Sequence, residues 1–192
     1  METIKEVPTL VFPDAVAWAT WLSDNYLLES GIWLKIAKKA TGVTTVSYAE
    51  ALEEALCWGW IDGMAKSLDA AYYVQKFTPR RKRSLWSKVN IGKAEALISS
   101  GRMRPPGFAA IEAAKADGRW EAAYDSAKEA VVPPDLAAAL EADPGTKTYF
   151  ESLNSANRYA ALWRLMTART DAVRSARLEK ILSVLKERKT FH

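Results

Sequence analysis

Residues 57–64 read CWGWIDGM and residues 72–79 read YYVQKFTP. Side chains alternate between the faces of a strand, so 58–64 is expected to be a strand with Trp58, Trp60, Asp62 and Met64 on one face and Gly59, Ile61 and Gly63 on the other. A glycine face admits close approach of another element. Residues 72–78 form a second strand stopped by Pro79. The loop between them, with Lys66 and Leu68, makes the two an antiparallel pair.

Upstream, residues 31–37 (GIWLKIA) set Ile32, Leu34 and Ile36 against Trp33, Lys35 and Ala37, the period-2 pattern of a half-buried strand. A short strand at 9–12 ends at Pro13, and Asp14 caps a helix over 15–22 whose Trp18 and Trp21 face the core. After a polar loop at 38–45, Ser47-Tyr-Ala-Glu50 has the spacing of a capping box, in which serine and glutamate side chains satisfy each other's orphan backbone donors. It opens a helix that ends near Cys57, with Ala51, Leu52, Ala55 and Leu56 as its apolar side. Downstream, helices are expected at about 87–99, 106–116 and 121–129, separated by Gly101, Pro105-Pro106 and Gly118.

Val132-Pro133-Pro134-Asp135 marks a boundary. Beyond it Tyr159, Leu162, Trp163 and Met166, then Leu178, Ile181, Leu182 and Leu185, repeat at i, i+3, i+4, i+7, with Asp171 as the N-cap between two helices. The pattern defines an α+β fold. A small, mostly antiparallel sheet covered by helices occupies 1–131, and a C-terminal helical segment over 132–192 is expected to pack on it.

The 192 residues carry 27 Lys and Arg against 23 Asp and Glu, a net +4 that conceals a strong local imbalance. Residues 70–94 hold Lys76, Arg80, Arg81, Lys82, Arg83, Lys88 and Lys93 with no acid, a block of +7; residues 158–192 contribute +6, and the rest sums to −9. With one cysteine, Cys57, there is no intramolecular disulfide and no multi-cysteine metal site. The single histidine, His192, is the last residue, where no general base is held in geometry, so histidine-dependent hydrolase schemes are excluded. The first 18 residues lack the pattern of a secretory signal and no apolar run reaches a membrane span, which gives an expected cytoplasmic location without membrane association. No cofactor or metal is expected.

The run from Ser47-Tyr48 through Cys57-Trp58-Gly59-Trp60-Ile61-Asp62-Gly63, followed by Gln75-Lys76-Phe77-Thr78-Pro79-Arg80-Arg81 and Ser84-Leu85-Trp86-Ser87, resembles the YdeI/OmpD-associated, or bacteriocin-protection, family. Gly101-Arg102-Met103, Asp117-Gly118-Arg119-Trp120 and Asn157-Arg158-Tyr159 extend the resemblance. It implies an association with stress and antimicrobial-peptide protection, and no particular reaction. Where relatives carry a Lys-Lys-Pro-Glu-Thr-Arg stretch after the final tryptophan, this chain has Arg169-Thr170-Asp171-Ala172-Val173-Arg174.

Three readings of the motif remain open. An aromatic floor with guanidinium groups suits a planar or anionic small ligand in a non-enzymatic binding protein, with Trp58, Trp60, Asp62, Gln75, Thr78, Arg80, Arg81, Trp86 and Asn90 as its site; the bland alternative is tryptophan in the core and Asp62 paired with Arg80 or Arg81. Arg80–Arg83 with Trp86 and Lys88 interleaves cations and an aromatic, as single-strand nucleic-acid binders do, or is a solvated loop. An enzyme would rest on Asp62 as acid or base, with no second carboxylate in the motif. Cys57 is read as a buried apolar residue.

Overall fold

A computed structural model describes residues 2–4, 7–39 and 41–191, the first three by backbone alone. His192 lies outside the described residues, as do Met1, Lys5 and Glu6 of the amino-terminal stretch and Ala40 of the 38–45 loop. Among the described residues no helix is long and apolar enough to cross a membrane.

The elements run β1 (Glu2–Ile4), β2 (Val7–Leu10), α1 (Ala15–Asn25), β3 (Ile32–Ala37), α2 (Tyr48–Cys57), β4 (Trp60–Ser67), β5 (Tyr72–Pro79), α3 (Lys88–Ser99), α4 (Pro105–Ala116), α5 (Pro134–Glu141), α6 (Pro144–Ser152), α7 (Ser155–Met166) and α8 (Asp171–Lys186). They make an α+β protein with helical elements alone after β5. The sheet order is β1-β2-β3-β5-β4, antiparallel throughout except for the β2–β3 pair. Two compact units result: Met1–Ser84 with Asn90–Glu121, and Leu85–Val89 with Ala122–His192.

In the first unit the sheet turns one face to the helices. Ile32, Leu34 and Ile36 of β3 stand beside Phe77, Gln75 and Tyr73 of β5 on that inner face. Trp18 of α1 packs its ring against Phe77 and, edge-on, against Trp60, and its indole N–H donates to the Ala51 carbonyl of α2. Asp14 caps α1 through Ala17 N, and the Ser47–Glu50 capping box forms in full. Gly59 follows α2 in the left-handed region at φ 71°. A Cβ there would stand 2.7 Å from the Pro106 carbonyl oxygen, so the glycine is what lets α4 approach the end of α2.

The structure changes several sequence expectations. Trp58 is the C-cap of α2 and β4 begins at Trp60, so Trp58 does not share a strand face with Trp60 and Asp62. A β-bulge sets Gly63 and Met64 against the single residue Lys76, because the register passes from Asp62↔Phe77 to Ala65↔Gln75. Met64 therefore leaves the face of Asp62. Lys66, expected in a loop, belongs to β4. The helix expected at 121–129 is absent: Tyr124 forms a parallel bridge with Ser87, its N–H donating to the Trp86 carbonyl and its own carbonyl accepting from Lys88 N, so its backbone groups are committed to extended pairing. Thr170, not Asp171, caps α8, its hydroxyl accepting from Val173 N.

The second unit closes on α5–α8 around Leu136, Leu140, Phe150, Leu162, Leu165, Ile181 and Leu185. Arg174 forks onto Asp135, Nε to Oδ2 at 2.7 Å and Nη2 to Oδ1 at 2.9 Å, and so ties the start of α8 to α5.

Candidate functional site

The residues singled out in the motif separate. Trp60 is fully buried, and its indole N–H donates to the Tyr26 carbonyl at 2.8 Å. Gln75 is buried too, and its amide donates to the Gly63 carbonyl, which compensates the ladder interrupted by the bulge. Both are structural. Trp58, half-buried, stacks on Tyr26 with centroids 5.5 Å apart. Asp62 accepts a 2.8 Å hydrogen bond from the Tyr48 hydroxyl at the start of α2. Thr78 and Arg80 are half-buried at the end of β5, where Arg80 N donates to the Gly59 carbonyl, and Arg81 is exposed. The Arg80 Nε and Nη2 atoms are sealed from solvent. Asn90 lies on α3 of the first unit, whereas Trp86, 2% exposed, belongs to the second. Cys57 is buried, and burial pushes its thiol up to about 11.

A different cluster forms on the sheet's outer face. The register places Lys35 of β3, Val74 of β5 and Lys66 of β4 in one row, and Trp33 beside Lys76 in the next. Adjacent strands lie about 4.8 Å apart, so Lys35 and Lys66 start roughly 10 Å from one another across Val74. The Lys35 ammonium sits 4.2 Å from the Tyr72 ring centroid, Lys66 4.8 Å and Lys76 5.6 Å from the Trp33 ring. These lysines shelter their neighbours: Trp33 is 6% exposed although it faces away from the helices. Lys76 donates to the Ser30 carbonyl at 2.7 Å, and partial burial lowers its pKa from the usual lysine value.

No strand from β2 to β5 places a carboxylate on this face; Asp62 projects to the other side with Phe77. Three ammonium groups held over aromatic rings by cation–π attraction therefore form a basic surface across β3, β5 and β4, and the register puts Glu2 of β1 at the far end of the Thr9–Trp33 row. The exposed turn of Arg81, Lys82 and Arg83 follows directly from β5. Two other cations of the basic block are paired, Lys93 with Glu53 and Lys88 with Asp125. The sequence carried part of the signal, in the alternation of Trp33 with Lys35 and of Tyr72 with Lys76. Lys66 was hidden because the bulge shifts its register.

Among the described residues no group of three His, Cys, Asp or Glu side chains is placed to hold a metal ion. The fold and the outer face thus define an α+β protein of two units whose first unit carries a basic, aromatic-backed sheet surface. The chain belongs to the family defined by a domain of unknown function (DUF8412), matched over residues 10–110, and residues 129–188 match the family described as Bacteriocin-protection, YdeI or OmpD-Associated, in agreement with the resemblance. The WGWIDG and FTPRR motifs fall within the first match. No curated protein and no solved structure matches the chain.

Proposed function

We propose that this protein is a non-enzymatic binding protein whose first unit holds single-stranded nucleic acid across the outer face of its sheet. The observation that carries the reading is the row Lys35–Val74–Lys66 with Lys76 beside it, three ammonium groups on a face to which β3, β5 and β4 contribute no carboxylate, followed in the chain by exposed Arg81 and Lys82. Cations carried on three adjacent strands of one sheet face suit an extended anion better than a small molecule. Lysines cover the Trp33 and Tyr72 rings, so phosphate contacts contribute most of the affinity.

The small-ligand reading loses support because Trp60 and Gln75 have core partners; its accessible remnant is Trp58, Thr78 and Arg81 at the same end of β5. For Asp62 as an acid or base, the Tyr48 hydroxyl is the one partner that bears on the idea. Protection against bacteriocins is the biological setting we attach to the proposal on the strength of the family description alone, and a cytoplasmic location and a link to stress are part of the proposal.

Fluorescence anisotropy with labelled dT12, with polyglutamate as a competing acidic chain, tests the proposal. Binding at low salt that polyglutamate displaces poorly, and that Lys35→Glu with Lys66→Glu weakens at least tenfold, is expected. Equal competition by polyglutamate would show a general polyanion surface, and unchanged binding by the double variant would place the strand elsewhere.

A further inference from the structure

In the second unit, α7, α8 and the residues after α8 enclose a concavity of about 490 Å3. Its lining includes the aromatic Trp163 and Phe191, the aliphatic Ile181 and Val184, and the cations Arg164, Arg177 and Lys180. Among the described residues no carboxylate lines it. We propose that this cleft binds a small aryl anion, a flat aromatic ring bearing a phosphate or carboxylate.

Each part of the cleft is held in place by other contacts. The Phe191 backbone N–H donates to Asn157 Oδ1 at 2.8 Å, which pins the carboxy-terminal wall to buried Asn157 of α7. The Arg164 guanidinium lies 5.2 Å from the Phe191 ring and donates to the Ala160 carbonyl, so its cation is fixed beside the aromatic wall. Arg177 donates through Nη1 to the Arg164 carbonyl at 2.6 Å and to Thr167 Oγ1 at 3.0 Å. These bonds secure the end of α7 and leave Nε and Nη2 as further donors. Lys180 follows three residues later on the same helical face and is exposed. A cleft lined by aromatic rings, aliphatic side chains and three cations is selective for a ligand that has both a ring and a negative charge. Its volume falls in the range of small-molecule sites, and an extended polymer would leave the aromatic walls uncovered. The inference rests on the second unit alone and is independent of nucleic-acid binding by the first.

Isothermal titration calorimetry of the full chain with 1-naphthyl phosphate and with 1-naphthoate tests it, with 1-naphthol and inorganic phosphate as the half-ligands. At least one aryl anion is expected to bind with a Kd on the order of 100 µM, and each half-ligand at least tenfold more weakly. The comparison of phosphate with carboxylate identifies the preferred anion. Lys180→Glu, at an exposed position, should retain the wild-type Tm and lose about tenfold in affinity, whereas Lys186→Glu on the same helix outside the cleft should bind as wild type. Failure of both aryl anions to bind below millimolar concentration, or equal losses in the two variants, would overturn the proposal.

Discussion

Replacing Gly59 with alanine tests how the first unit brings α4 onto α2. Two costs add at this position. An L-residue in the left-handed region loses about 1 kcal/mol, and the new methyl would meet the Pro106 carbonyl oxygen at 2.7 Å and its carbon at 3.1 Å, backbone atoms that cannot rotate aside. Overpacking of that kind costs about 1–3 kcal/mol. Gly101 supplies the control: it has nearly the same backbone, φ 69°, but nothing lies within 4 Å of its added Cβ. Gly101→Ala should therefore cost about 1 kcal/mol and Gly59→Ala about 2–4 kcal/mol. Urea unfolding followed by tryptophan fluorescence reads this unit well, because six of the eight tryptophans belong to it. With a slope of roughly 1–2 kcal/mol/M, the midpoint of Gly59→Ala should lie about 1–2 M below that of Gly101→Ala. Equal midpoints would mean that the close approach of α4 contributes nothing, and that the glycine is there for its dihedral angles alone.

Two further predictions concern titratable groups. Hydrogen bonds from Arg174 hold the Asp135 carboxyl below the usual carboxylate range, so the stability they supply is present above the unfolded-state value near 4 and is lost as pH falls through the lower folded value. Asp135→Asn should cost about 1 kcal/mol at pH 7, and the gap to wild type should narrow progressively as pH is lowered below about 4 in urea titrations; a gap independent of pH would contradict the pairing. Cys57, 1% exposed with its thiol raised from 9.0 to about 11, carries about a hundredfold less thiolate at pH 8 than an ordinary cysteine, and Ellman's reagent should modify the native protein at least that much more slowly than the urea-unfolded chain.

What the sequence made legible was local chemistry. Asp14 and the Ser47–Glu50 pair announce helix starts because their side chains have one geometrically defined backbone partner, and the alternation at Ile32, Leu34 and Ile36 announces a strand. Long-range commitments were not visible. Trp58 and Trp60 are two apart in a run that alternates like a strand, yet the left-handed turn at Gly59 puts one at a helix end and the other in the core under Trp18. Residues 121–129 have helical composition, but extended pairing of Tyr124 with Ser87 overrides it. The same limit governed the site. The motif places Asp62 in a ligand site, with pairing to Arg80 or Arg81 as the alternative, and in the structure it accepts from the hydroxyl of Tyr48, fourteen residues earlier. Lys35, Lys66 and Lys76 become neighbours only through the β3-β5-β4 strand order and the register after the bulge, which no local pattern encodes.

The salt dependence of dT12 binding tests the central claim most directly. Each phosphate neutralised on a single strand contributes roughly −0.7 to the slope of log K against log salt. Lys35, Lys66 and Lys76 together should give a slope of about −2, extending to about −3.5 if Arg81 and Lys82 engage as well. Reversing Lys35 and Lys66 should flatten the slope by about 1.4 in a chain that remains folded, with a small Tm loss from the two missing cation–π contacts. A slope near zero, or one that the double variant leaves unchanged, would contradict the assignment of the sheet's outer face as the nucleic-acid surface.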